Sequence, residues 1–152
     1  MESVVFGKWR LECDPEATRQ AHLHISVGSP EACGCRECQN FAVARSLVYP
    51  AVVLSLFTQL AIDSQHEAEI YHMGRLGSGR HLYGGWFHFV GTIASEGDTI
   101  GPFDMEQEDD LPFRLFFTNK PNLLEESFVG KPVVQLEFVA HVPWLLGSPE
   151  PD

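Results

Sequence analysis

Three thiols fall within six residues in Cys33-Gly34-Cys35-Arg36-Glu37-Cys38. Cys35 and Cys38 are three apart, so at a helix start they share one face. Backbone N–H groups and the helix dipole at such a start favour thiolate over thiol, and Arg36 adds positive charge. Gly34 lets the chain turn tightly enough to aim Cys33 and Cys35 at one point. Thiolates bind soft metals or attack electrophiles. Three readings stay open. The first is a zinc site in which Cys33, Cys35 and Cys38 supply three of four tetrahedral ligands, with His22, His24, His88 or Cys13 as candidates for the fourth. Cys13 shares a strand face with Trp9 and Leu11 and reads as core, which favours a histidine. The second is a redox dithiol at Cys35 and Cys38, although no βαβ pattern surrounds it. The third is that the thiols only pack as small apolar groups.

A second cluster of chemistry-bearing residues is His81-Leu82-Tyr83-Gly84-Gly85-Trp86-Phe87-His88-Phe89-Val90-Gly91. As a strand it puts Trp86, His88 and Val90 on one face and Phe87 and Phe89 on the other. Apolar residues on both faces predict a central strand covered on each side. His81 or His88 is either a ligand or base beside an aromatic pocket, or a hydrogen-bonded core histidine. Asp104 to Asp110 holds five acids in seven residues. It lacks the spacing and central glycine of an EF-hand and reads as a solvated acidic loop. No G-x-S-x-G, P-loop or H-E-x-x-H is present, and no G-x-G-x-x-G follows a strand.

The elements that must position these residues follow from periodicity and punctuation. Residues 4–13 alternate as a strand. Asp14-Pro15-Glu16 then starts a short helix running to about His22, and Gly28-Ser29-Pro30 ends that region. A second helix is expected from about Arg36 to Leu47. A third opens at Pro50 with Val53, Leu56, Phe57 and Leu60 on one face. From Glu67 the pattern switches to strands. Gly77-Ser78-Gly79 makes a hairpin turn, and residues 80–93 form a long strand with a bulge expected at Gly84-Gly85. Residues 111–118 and 132–142 supply two more strands. This order predicts one α+β domain over residues 1–146, with a flexible tail at 147–152. Its mostly antiparallel sheet has four to five strands, with two or three helices clustered in the first 62 residues.

Composition sets the class of partner. The chain has 152 residues, 44% hydrophobic and 20% charged, which suits one folded core. Its net charge of −11 disfavours nucleic acid and anionic membrane, because both need Lys and Arg to meet phosphates. A basic protein partner is compatible with that charge. The start carries Glu2 where an export signal needs a basic region, and no apolar core follows it. The uncharged stretch Ser46–Ile62 contains Pro50, Ser55, Thr58 and Gln59 and is too short for a bilayer span. A cytoplasmic protein with free or metal-bound thiols is therefore expected.

Residues 33–40 (Cys-Gly-Cys-Arg-Glu-Cys-Gln-Asn), the Tyr49-Pro50 step, Leu60-Ala61-Ile62-Asp63 and the segment Tyr83 to Gly91 together resemble a family of small uncharacterised bacterial proteins. That family shares a Cys-x-Cys-x-x-Cys-x-Asn segment and a Tyr-Gly-Gly-Trp-Phe-His-Phe-Val-Gly segment, and the resemblance spans residues 9–145. It implies that the two segments belong together and brings no activity. No nucleophile–base arrangement is legible. The expectation is a non-enzymatic binding or accessory protein with a small structural zinc site, the alternative being a thiol-dependent redox enzyme using Cys35 and Cys38.

Overall fold

A computed structural model describes residues 1–101 and 113–152; the acidic run Asp104–Asp110 lies outside the described residues. In chain order the elements are β1 (Glu2–Phe6), β2 (Trp9–Cys13), α1 (Pro15–Leu23), α2 (Ser29–Cys33), α3 (Arg36–Ala44), a 3₁₀ turn (Arg45–Leu47), α4 (Ala51–Leu60), β3 (Glu69–Arg75), β4 (His81–Ser95), β5 (Phe113–Thr118), a second 3₁₀ turn (Glu126–Phe128) and β6 (Val133–Val142). The six strands form an antiparallel sheet in the order β1-β2-β4-β6-β5, with β3 also paired to β4. The fold is α+β; among the described residues all four helices lie before residue 62, and there is one more strand than expected.

The extra strand comes from a hairpin inside residues 4–13. Gly7 takes a left-handed φ of +59° and turns the chain between β1 and β2. Alternation alone cannot reveal this, because the period of two runs on through a tight turn. A fourth helix, α2, starts at Gly28-Ser29-Pro30, where a break was expected. Pro30 sits in its first turn, and Gly34 ends it in the left-handed conformation at φ +68°. Gly84 and Gly85 do not mark a bulge. The register shift lies on β3 between His72 and Gly74, opposite Tyr83 and Leu82. The two glycines serve close approach instead. A Cβ on Gly84 would fall 2.3 Å from the Tyr71 ring, and one on Gly85 would fall 2.5 Å from the Glu69 carbonyl oxygen.

β4 organises the rest. Tyr83, Phe87 and Phe89 face the main core, where they meet Phe41 of α3 and Val53, Leu56, Phe57 and Leu60 of α4. Val90 faces a smaller cluster with Ala21 and Phe128. Burying each large side chain contributes about 1.5–3 kcal/mol. β6 runs along one edge of β4. On the other edge, β3 pairs over residues 81–86 and β2 over residues 91–95. The backbone between them is satisfied by α1 and its cap. Asp14 N donates to the Val90 carbonyl, Val90 N donates to Thr18 Oγ1 at 2.9 Å, and His22 Nε2 donates to the His88 carbonyl at 3.1 Å. These bonds let a helix stand in for a missing stretch of strand.

Candidate metal centre

The cysteine segment lies at the junction of α2 and α3. Cys33 is the last residue of α2, Cys35 is the N-cap of α3, and Cys38 sits in the first turn of α3. Left-handed Gly34 reverses the chain between them, and Gln39 Nε2 donates to the Gly34 carbonyl at 2.7 Å, tying α3 to the end of α2. The Cys35 side chain makes no capping hydrogen bond, so the first N–H groups of α3 are not capped by their own side chain. The three Sγ atoms lie within 4.8 Å of one another. Cys33 and Cys35 are exposed, and Cys38 is buried.

This geometry splits the thiols electrostatically. The Cys35 backbone N–H donates to the Cys33 sulfur, and hydrogen bonds with the Cys35 and Cys38 thiols add to it, so the Cys33 pKa lies below the ordinary thiol value. Burial, and then hydrogen bonding to Cys35 and Cys33, pushes Cys38 well above that value. Three sulfurs bound to one zinc at about 2.3 Å stand roughly 3.8 Å apart. Closure therefore needs movements of no more than about 1 Å, and exposed Cys33 beside Gly34 has room to make them. The cluster can hold a metal ion.

A clamp of ionic groups fixes α2. Arg45 donates to both oxygens of Glu67, at 2.9 and 2.8 Å, and to both oxygens of Glu31 on α2, at 2.6 and 3.1 Å. Tyr49 Oη also donates to Glu67 at 2.9 Å, and Ser29 N donates to the Glu67 carbonyl. The α3 end is held by Tyr83, whose hydroxyl donates to the Glu37 carbonyl at 2.7 Å. Tyr83 belongs to the Tyr-Gly-Gly-Trp segment, so β4 touches the cysteine segment directly.

Arg36 does not serve the thiolates. Its guanidinium donates to the carbonyls of Leu146, Gly147, Ser148 and Pro149 and lies 5.8 Å from the centre of the Trp144 ring. Asn40 adds two bonds, to the Pro143 carbonyl and from Leu145 N. Glu150 accepts from buried His81 at 2.7 Å, and His81 Nδ1 meets His72 Nε2 at 2.8 Å. Residues 143–150 thus form a strap against α3 and the start of β4.

Among the described residues, the three cysteines are the one group of potential ligands gathered this closely. The four candidates for a fourth ligand lie elsewhere. Cys13 is fully buried on β2, and burial with the nearby acids Glu2 and Glu12 raises its pKa. His22 stacks on His66 and is bound to the His88 carbonyl. His24 Nδ1 bonds the Gln20 carbonyl at the exposed end of α1. His88 is fully buried, with Nδ1 on Glu125 at 2.8 Å and Nε2 on Gln135 at 2.9 Å. Sequence reading missed Glu125, Glu150 and Glu67 as partners. Each meets its histidine or arginine across 22 to 69 residues, and no local spacing signals such a pair.

Fold and site together define an α+β protein with a cluster of three thiols, two exposed and one buried, that can hold a metal ion. Comparisons with protein-family models, with curated proteins and with solved structures find no match. Among the described residues, no single helix is long and apolar enough to cross a membrane.

Proposed function

We propose that the chain is a non-enzymatic binding or accessory protein that holds one zinc ion through Cys33, Cys35 and Cys38. The observation that carries this reading is the convergence of three Sγ atoms within 4.8 Å at a helix junction clamped on both sides. Thiolates select zinc or copper(I) over magnesium and calcium, and an iron–sulfur cluster usually asks for a fourth cysteine. With no fourth ligand in the group among the described residues, the remaining zinc position is left to water or to a ligand from outside the group. Three thiolates more than neutralise the divalent ion, so such a water is less acidic than one on a three-histidine zinc, and the role is structural. The net charge of −11 supports a basic protein as the partner, and argues against nucleic acid. The resemblance to small bacterial proteins is compatible with this reading.

Elemental analysis of tag-free protein, purified without chelator, tests it. We expect about one zinc per chain, lost in Cys35→Ser together with thermal stability. Cobalt substitution should give the strong near-ultraviolet absorption of thiolate-to-metal charge transfer. Metal-free wild-type protein that is as stable as Cys35→Ser would overturn the proposal. A Cys35–Cys38 disulfide that cycles with a dithiol reductant would favour the redox alternative.

A further inference from the structure

The buried histidine of β4 has a task that the cysteine site does not explain. The Gln135 side chain is oriented by two bonds: its Oε1 accepts from Asn122 N at 2.7 Å, and its Nε2 donates to Glu137 at 2.6 Å. The atom facing His88 Nε2 is therefore Oε1, and His88 must donate to it. The other ring nitrogen, Nδ1, faces the Glu125 carboxylate. The ring is held between Gln135 on one side and Glu125 on the other. A fully buried ring anchored on β6 thus holds one surface carboxylate in a fixed orientation. Such support from behind is how proteins aim a polar group at a ligand.

Glu125 stands on the wall of a cavity of about 750 Å³ between α1 and the 125–131 segment. That volume suits a small organic molecule. The opposite wall is mixed: Ala17, Ala21, Ile25 and Val27 give it apolar surface, with Gln20, His24 and Ser26 among them. Beside Glu125, Ser127 has a buried hydroxyl with no hydrogen-bond partner. Lys131, the lining cation on this side, donates its ammonium to the Ser127 carbonyl. Glu126 adds a second carboxylate to the same rim. The Glu125 end of the cavity thus has two carboxylates against one ammonium.

We propose that this cavity binds a small amphiphilic amine, its ammonium donating to Glu125 and Ser127 and its hydrocarbon body lying along α1. The site is separate from the cysteine cluster and does not depend on metal. A charged donor suits Glu125 better than a neutral one, because hydrogen bonds between ionised partners are the stronger kind. An anionic head would meet two carboxylates.

Hexylammonium is the probe, hexanoate the matched anion, and amide chemical shifts of the whole chain as purified are the readout. Hexylammonium should give saturable shifts at Ala21, Val27 and Ser127, while hexanoate at equal concentration leaves those amides in place. Glu125→Gln should weaken the amine about tenfold, the difference between a charged and a neutral hydrogen bond. Ser127→Ala should weaken it by a smaller factor, and Glu16→Gln, on the exposed face of α1, should not. Equal shifts with both probes, or no saturable shift at the cavity in wild-type protein, would overturn the proposal whether or not the variants fold. A folded Glu125→Gln with unchanged affinity would also overturn it.

Discussion

Removing the Arg45 guanidinium is the sharpest test of how the cysteine-bearing helix is held. In Arg45→Met the hydrocarbon stem remains and four hydrogen bonds vanish: two to Glu67 and two to Glu31. The Glu67 side chain has 0% exposure and the Arg45 side chain 13%, so water cannot replace the lost partner. Leaving one member of a buried ion pair alone costs about 3–5 kcal/mol. For a chain of this size that lowers the melting temperature by roughly 6–20 °C, at about 2–4 °C per kcal/mol. The pH dependence has a defined sign. Burial raises the Glu67 pKa even in the intact protein, while the hydrogen bonds and charge of Arg45 pull it down. Without Arg45 the carboxyl rises further. The folded variant then binds a proton more readily than the unfolded chain, so the deficit is full at neutral pH and shrinks as pH falls through the raised pKa. Urea unfolding at pH 7.5 and at pH 5 measures both quantities. Arg19→Met, which breaks the exposed pair with Glu16, is the control and should leave stability unchanged. A loss below about 1 kcal/mol, the size of an exposed pair, and equal at both pH values, would refute the reasoning.

Two further effects follow from the same helices. Ala61 ends α4 in the left-handed conformation at φ +62°, and Ile62 N donates back to the Phe57 carbonyl, which closes a Schellman cap. Ala61→Gly should therefore stabilise the protein by about 1 kcal/mol, and a lower midpoint in urea would sink that account. Burial holds the His22 pKa below the ordinary value, against the pull of its bond to the His88 carbonyl. The unfolded chain then binds the proton first. Stability is kept above the ordinary value of about 6.5 and falls below it, by up to about 1.4 kcal/mol per pH unit. His22→Gln should flatten that decline, and parallel curves for the two proteins would show that His22 is not its source.

Much of the fold was legible because local signals agreed with it. Asp14-Pro15-Glu16 starts α1 with the Asp14 side chain accepting from Ala17 N. The four apolar residues predicted for one face of α4 are all buried. What stayed hidden was decided by contacts that periodicity does not encode. The β1–β2 hairpin turns on Gly7 without interrupting alternation. The Gly84-Gly85 pair looks like a bulge in sequence, yet its cause is the Tyr71 ring and the Glu69 carbonyl on the neighbouring strand. A glycine in a strand reports that something comes close, and only the sheet pairing says what it is.

The site divides along the same line. The spacing of Cys33, Cys35 and Cys38 located the cluster, because ligands on a turn and one helical face converge through local geometry alone. The search for a fourth ligand failed for a related reason. A histidine on a core strand or helix is already engaged by the fold: His22 commits Nε2 to the His88 carbonyl, and His88 commits both ring nitrogens to Glu125 and Gln135. His22 closes a gap in the edge of β4, and His88 aligns Glu125. Arg36 was assigned to the thiolates by proximity in sequence, yet a run of four carbonyls in the C-terminal strap takes its donors. With Arg36 spent and no histidine drawn in, the cluster keeps two exposed sulfurs, on Cys33 and Cys35, beside the buried sulfur of Cys38, and in the proposed zinc site the remaining position is left to water or to a ligand from outside the group.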